Sequence, residues 1–185
     1  MSEPELKEQN DPDEGAAAGG LWPTIGRLAA AMKPKKGALD AGMVASLRRL
    51  DPASGVSPAF YQVAAYWLET ELPHVDDPQR ADAERKWAAI LRTMALLAGL
   101  HVGQRHLGHA LADAGYSDLR FERLLRAQDE ILWDEIRRAA HYLVSKGQGC
   151  DQGHIARLIL SDGRSDAECV RRDLARRYYG ELRRK

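Results

Sequence analysis

Three histidines, His101, His106 and His109, lie close together in the middle of the chain. On a helix, His106 and His109 would share one face, because they are three residues apart. A structural zinc site needs four ligands from Cys, His, Asp or Glu, and only Asp113 adds to this set nearby. The pattern otherwise fits an ordinary amphipathic helix. We therefore predict no metal and no other cofactor.

The sequence contains no motif of a known catalytic chemistry. It has no His-Glu-x-x-His, no Gly-x-Ser-x-Gly and no P-loop. The glycine-rich run 147–153 lacks the preceding strand and the Lys-Ser/Thr pair of a phosphate-binding loop. Cys150 lies near His154, but no feature indicates the lowered pKa of a nucleophilic thiol. We therefore predict that the protein is not an enzyme.

The arginines fall into two groups according to their local partners. An acid four residues before an arginine on a helix stabilises it by a few tenths of a kcal/mol. This spacing predicts the pairs Glu122–Arg126, Asp134–Arg138, Glu168–Arg172 and Asp173–Arg177. No acid lies three or four positions from Arg49, Arg92, Arg120 or Arg123, and Arg164 has only Glu168. Arginines without a local acid are candidates for binding an external anion.

Two adjacent arginines, Arg48 and Arg49, end a short apolar segment just before the turn at Asp51 and Pro52. Two planar guanidinium groups at such a turn can clamp phosphate oxygens. The alternative is that they stabilise the C-terminus of their own helix, where cations are favourable, with Asp51 pairing with one of them. Both explanations stay open from the sequence.

Charge is unevenly distributed along the chain, although its 27 basic and 27 acidic residues cancel. Residues 1–20 hold one Lys and six acids, whereas residues 120–185 hold 15 basic and 11 acidic residues. Two cysteines without a disulfide pattern are typical of a reducing compartment. No apolar run is long enough for a membrane helix, and the acidic start is unlike a signal peptide. These features predict a cytoplasmic protein without a membrane partner.

Helical periodicity runs almost unbroken from residue 21, and no segment alternates like a strand. The predicted helices are 22–32, 40–50, 58–71, 79–100, 103–115, 118–127, 129–146, 151–161 and 166–183. The fold class is therefore all-α, without a sheet. We predict a disordered acidic tail over 1–20, an N-terminal helical bundle over 21–102 and a C-terminal helical bundle over 103–185.

Four stretches of the sequence, spread over roughly residues 37–180, resemble the CasB family, the small subunits of the type I-E CRISPR surveillance complex Cascade. They are "SLRR" followed by "PAFYQV", then "WAAILRTMALLAGLH", then "LGHALADAGYSDLRFERLLRAQDEILWDEIRRAAHYL", and last "HIARLILSDGRSDAECVRRDLARRYYG". The order and spacing of these pieces carry the resemblance. The acidic tail and the Lys33–Lys36 cluster are not part of the family pattern.

The resemblance implies a non-catalytic, all-helical subunit that stabilises the R-loop in antiviral defence. Implied partners are target DNA, guide RNA, other Cascade subunits and a second copy of the chain. The backbone-binding positions of the family fall on Arg48, Arg49, Arg120, Arg126, Arg137, Arg138 and Arg164. We add Arg123 to these positions because it has no local acid. For Arg138 the resemblance and the spacing disagree, because the spacing predicts that Asp134 neutralises it. The alternative function is a helical protein–protein adaptor whose arginines meet acidic partners.

The acidic tail gives a first testable prediction. Deleting residues 1–20 should leave binding of target DNA by the assembled complex unchanged or slightly tighter, because acidic residues repel phosphate. Binding titrations of complexes that contain the full-length and the truncated subunit measure this effect. A clear decrease in DNA affinity on truncation would contradict the prediction.

Overall fold

A computed structural model of the chain describes residues 20–54 and 57–184. The predicted acidic tail therefore lies, apart from Gly20, outside the described residues. Within them the helices are α1 (Leu21–Ala31), α2 (Ala41–Arg48), α3 (Pro58–Trp67), α4 (Arg80–Leu96), α5 (Leu107–Ala114), α6 (Asp118–Arg126), α7 (Asp129–Ser145), α8 (Gly153–Ser161) and α9 (Ala167–Leu182). These described ranges contain no strand beyond one isolated bridge, between His101 and Cys150. The all-α prediction is confirmed.

The predicted helices differ from the observed ones by up to four residues. Helix α3 ends at Trp67 rather than at residue 71, and differences of the same size lie around residues 97–106. Helix α4 ends at Leu96 and α5 begins at Leu107, whereas the periodicity predicted helix over 79–100 and 103–115. The segment between them is not helical, because its backbone pairs with the loop before α8. The N–H of Val102 donates to the Cys150 carbonyl (3.0 Å), and the N–H of Asp151 donates to the Arg105 carbonyl (2.8 Å). This pairing joins the two halves of the chain at the predicted domain boundary.

The core is formed by helices from both halves. Helix α4 packs against α2, α7 and α8, while α1 packs on α8 and α5 lies along α9. The approach of α5 to α9 is close because Gly108 has no side chain: a Cβ there would lie 2.7 Å from the Leu174 carbonyl oxygen. The buried apolar residues form a continuous cluster that includes Trp87, Phe121 and Tyr178. The division into two bundles at residue 102 stays a prediction.

A buried carboxylate, that of Asp162, ties the C-terminal end of α8 to three other helices. One of its side-chain oxygens accepts from Arg171 Nη2 of α9 (2.7 Å), and the other accepts from the backbone N–H of Asp129 at the start of α7 (2.6 Å). The Asp162 carbonyl accepts from Lys86 Nζ of α4 (2.9 Å). Asp129 has a positive φ of 50°, a conformation that a non-glycine residue adopts only when its surroundings hold it.

The Asp162 contacts predict a large effect on stability. Replacing Asp162 with Ala should lower the free energy of unfolding by about 3 kcal/mol, because the largely buried Arg171 then lacks its carboxylate and the Asp129 N–H lacks its acceptor. Urea-induced unfolding followed by circular dichroism measures this decrease. Glu168→Gln is the matched control, since it removes an exposed pair with Arg172 and should change stability by less than about 1 kcal/mol. Equal stability of the two variants would show that Asp162 does not organise the fold.

Candidate nucleic-acid interface

One part of the surface formed by α6 and α7, around Arg120, Arg123 and Arg138, is basic, and we call this part the α6–α7 face. Arg120, Arg123 and Arg138 line a depression of about 440 Å³. The other residues that line it are Tyr116, Glu135, His141 and Tyr142. Helix α6 turns Phe121 and Leu124 into the core, which leaves Arg120 and Arg123 on the outward side, three residues apart. Three cations surround one carboxylate in this depression, so it carries an excess of positive charge.

The carboxylate at this face, Glu135, is buried and binds two of the three arginines. The same oxygen, Oε1, accepts from Arg123 Nη2 (2.7 Å) and from Arg138 Nη1 (2.6 Å). The side chain of Glu135 is only 6% exposed, whereas those of Arg123 and Arg138 are 54% and 56% exposed. Each guanidinium group carries five N–H donors. Both arginines are therefore fixed in place and still have donors available to an external anion.

Tyr142 adds an aromatic ring to the α6–α7 face, close to Arg120 and to one further cation, Lys146. Arg120 Cζ lies 5.7 Å from the centre of the ring, and Lys146 Nζ lies 5.6 Å from it. The Tyr142 hydroxyl donates to the Gly115 carbonyl (2.9 Å), which fixes the ring. Sequence analysis missed Tyr142 and Lys146. Their signal was the spacing of Arg138, Tyr142 and Lys146, which lie four residues apart on one side of α7.

Arg126 and Arg164 lie beside a larger groove of about 1640 Å³, which shares Arg123 and Arg138 with the α6–α7 face. Both are exposed and only loosely paired: Arg126 lies 3.7 Å from Glu122, and Arg164 lies 3.8 Å from Asp166. The groove is lined by six basic residues, Arg85, Lys86, Arg123, Arg126, Arg138 and Arg164, and by six acids, Glu71, Asp82, Asp129, Glu130, Glu135 and Asp162. Its charges balance, whereas cations outnumber carboxylates in the lining of the depression on the α6–α7 face.

Arg48 and Arg49, the adjacent arginines at the C-terminal end of α2, differ in their contacts. Arg48 Nε donates to the Ala95 carbonyl in the last turn of α4 (2.8 Å). The Arg49 side chain is exposed and has no hydrogen bond or ion pair in the part of the chain that the structure describes. Arg48 therefore satisfies a helix-terminal carbonyl, while Arg49 is available to an anion. The predicted pair with Asp51 is formed by neither residue.

Helix α7 separates its adjacent arginines by binding each to a different acid. Arg137 Nη2 lies 3.3 Å from Asp134 Oδ1, which also faces Arg92 Nη2 at 3.9 Å. The predicted Asp134–Arg138 pair is wrong, because Arg138 binds the buried Glu135 instead.

Burial lowers the pKa of Arg92, with the nearby Arg137 acting in the same direction. Arg92 is therefore an internal residue rather than a surface cation.

The other arginine pairs predicted from spacing are confirmed. Their N–O distances are 3.7 Å for Glu122–Arg126, 3.0 Å for Glu168–Arg172 and 3.5 Å for Asp173–Arg177. Arg123 and Arg92 have no acid three or four residues away, but each finds an acidic partner on α7, far from it in sequence. Arg164 pairs with Asp166 rather than with Glu168.

His106 and His154 pack against each other in an arrangement of a different kind from a metal site. His106 is the N-cap of α5, where its Nδ1 accepts from the N–H of Gly108 (3.0 Å) while Nε2 lies 3.0 Å from Asp173 Oδ2. Its ring lies 3.9 Å from that of His154, and burial lowers the pKa of both rings to about 4. Within residues 20–54 and 57–184, no three His, Cys, Asp or Glu side chains are placed to hold a metal ion.

Cys150 lies in the interior and has no features of a nucleophile. It is completely buried, and this burial raises the pKa of the thiol to about 12. A thiol with such a pKa stays protonated near neutral pH and is a poor nucleophile. His154 packs against Trp22 and His106.

Comparison with known proteins identifies the family of this helical chain. A family model described as CRISPR-associated protein Cse2 matches residues 43–179, which include α3 to α8 and most of α2 and α9. No curated protein and no solved structure matches the chain. In the described part of the chain, no helix combines the length and the hydropathy needed to cross a bilayer. The match covers most of the sequence, and the chain therefore belongs to the CRISPR-associated Cse2 family, as a structural subunit of a Cascade complex.

Proposed function

We propose that this subunit binds the sugar-phosphate backbone of nucleic acid through its α6–α7 face and thereby stabilises the R-loop of a type I-E Cascade. The proposal rests on one observation above all: Arg120, Arg123 and Arg138 surround a depression that holds a single carboxylate. Arg120 has no carboxylate partner in the described residues, so its charge is fully available. The subunit acts in the cytoplasm, without catalysis of its own.

Backbone contacts of this kind suit an R-loop because its formation is a nearly balanced exchange of one duplex for another. A few phosphate contacts from the protein are therefore enough to shift the equilibrium. Guanidinium groups bind phosphate oxygens in a planar, bidentate geometry. Such contacts position nucleic acid without recognising its bases, which fits a complex in which the guide RNA supplies the sequence specificity.

Glu135 favours binding by the α6–α7 face because it holds two of its arginines in place. A free arginine loses side-chain entropy when it binds phosphate, at about 0.5–1.5 kcal/mol for each immobilised side chain. Arg123 and Arg138 lose much of this freedom on folding, because both bind the buried Glu135. The carboxylate cancels one unit of charge but prearranges the two guanidinium groups that remain half-exposed.

The adaptor function suits the larger groove better than the α6–α7 face. Basic and acidic residues balance in that groove, and Ile131, which lines it, is 68% exposed. A mixed surface with exposed apolar residues is typical of protein contacts rather than phosphate contacts. The groove is therefore a candidate surface for other Cascade subunits or for a second copy of the chain, with Arg126 and Arg164 at this interface.

Arg120→Glu tests the α6–α7 face most directly, because Arg120 is exposed and binds no carboxylate of the described chain. A Cascade assembled with this variant should bind target DNA more weakly, and its affinity should depend less steeply on salt. The slope of log K against log[salt] should shrink by about 0.7–0.9 for each phosphate that the variant no longer neutralises. Fluorescence anisotropy at several salt concentrations measures both quantities.

Arg184→Glu serves as the matched control for Arg120→Glu, because Arg184 is exposed near the C-terminus and, in the described chain, pairs only with Glu181. It should leave both affinity and salt slope unchanged. If Arg120→Glu also leaves them unchanged while the complex assembles, the α6–α7 face does not bind backbone. A variant that fails to join the complex would instead favour the adaptor function.

Substitutions of Arg48 and Arg49 should have two separable effects. Arg49→Glu should weaken binding of target DNA with little change in stability, because the exposed side chain has no hydrogen bond or ion pair to another described residue. Arg48→Glu should also lower the free energy of unfolding by about 1 kcal/mol, because the Ala95 carbonyl loses its donor. Urea unfolding and DNA titration of the two single variants separate these effects. Unchanged DNA affinity in Arg49→Glu would mean that the two arginines only stabilise helix ends.

A further inference from the structure

A second basic pocket lies between α8 and α9 and is separate from the residues of the α6–α7 face. It has a volume of about 370 Å³. The almost fully buried ring of His106 and the half-buried ring of His154 lie in its wall. Its basic residues are Arg157, Arg172, Arg176 and Arg177. None of these four arginines was among the predicted backbone-binding residues.

The carboxylates near this pocket are already occupied by hydrogen bonds and ion pairs. Asp173 Oδ1 binds Arg176 (3.0 Å) and lies 3.5 Å from Arg177, while Asp173 Oδ2 faces His106 (3.0 Å). Glu168 is used by Arg172 at 3.0 Å. The pocket lining therefore holds four guanidinium groups and one carboxylate, that of Asp173. Even with Glu168 beside it neutralising Arg172, positive charge is in excess.

Arg157 carries the clearest unsatisfied charge of the pocket. It is half-buried on α8, and in the described residues its side chain has no hydrogen bond or carboxylate partner. Burial lowers the pKa of the His154 ring, and the nearby charge of Arg157 acts in the same direction. A partly desolvated guanidinium gains more from an anion than one in open water, because screening is weaker there. Arg157 therefore favours an anionic ligand in the pocket.

We propose that the pocket between α8 and α9 binds a phosphate group, held by Arg157 together with Arg176 and Arg177. The pocket accommodates a phosphate or a diphosphate, and several guanidinium forks around one concave site match the oxygens of such groups. The phosphate belongs either to a small phosphorylated compound or to the backbone of a nucleic acid. This site is distinct from the α6–α7 face and does not depend on the function proposed for it.

Inorganic pyrophosphate is a suitable probe for the pocket. Isothermal titration calorimetry of the full-length chain at low salt should detect its binding, and Arg157→Gln should weaken the affinity by about tenfold or more. Arg176→Gln, at an exposed position, should weaken it in the same direction. Arg184→Gln removes an exposed arginine just beyond the end of α9 and should have no effect. Absent binding of pyrophosphate, or equal binding by Arg157→Gln, would overturn the proposal.

Two further measurements identify the source of the phosphate and check the fold. Arg157→Lys keeps the charge and should retain more pyrophosphate affinity than Arg157→Gln. If both variants lose the same affinity and both have an altered melting temperature, Arg157 has a structural role and the proposal is overturned. If Arg157→Gln also weakens binding of a short single-stranded DNA, the phosphate belongs to a backbone. If it weakens pyrophosphate alone, a small phosphorylated compound is bound. Arg120→Glu should leave pyrophosphate binding intact, so the two proposals fail separately.

Discussion

The placement of α4, α7, α8 and α9 depends on the burial of one carboxylate, Asp162. A buried charge is tolerated only when it is paired and its remaining lone pairs accept hydrogen bonds. Here the partners come from Arg171 of α9 and from the backbone at the start of α7, while Lys86 of α4 binds the adjacent carbonyl. Few relative positions of these helices satisfy all the partners at once. The constraint also fixes where α7 begins, and with it the position of every arginine on that helix.

A buried carboxylate that needs partners also fixes side chains at the candidate interface. Glu135, in the second turn of α7, is buried and binds arginines from two helices. An exposed ion pair contributes little and leaves its long side chains mobile. A buried acceptor holds the guanidinium groups of Arg123 and Arg138 while their outer edges face solvent. The arginines that bind Glu135 are therefore better prepared for phosphate than the more loosely paired Arg126 and Arg164.

Much of the fold could be predicted from the sequence, because each helix has an apolar face with the helical period. The C-terminal end of α4 and the start of α5 could not be predicted, because the backbone pairing of Val102 with Cys150 joins residues far apart in the chain. The same limit applies to the arginines. Spacing correctly predicted the exposed pair of Glu168 with Arg172, where only local neighbours compete. It failed where the partner lies at a helix contact: α7 turns Glu135 inward, and a buried carboxylate attracts Arg138 more strongly than the exposed Asp134 does. Burial rather than separation along the chain decides such pairs, and burial depends on the packing of α6 against α7.

The balance of charge in this protein is best understood from where its carboxylates lie. The sequence has no net charge, which by itself argues against a polyanionic partner. However, Glu135 is buried, whereas the two arginines that it binds at the α6–α7 face remain half-exposed. Asp173 likewise serves two arginines and a histidine. Because few acids offset several cations at each site, a neutral chain presents locally basic surfaces. Local basicity without net charge allows phosphate binding at defined places while limiting non-specific attraction to nucleic acid elsewhere.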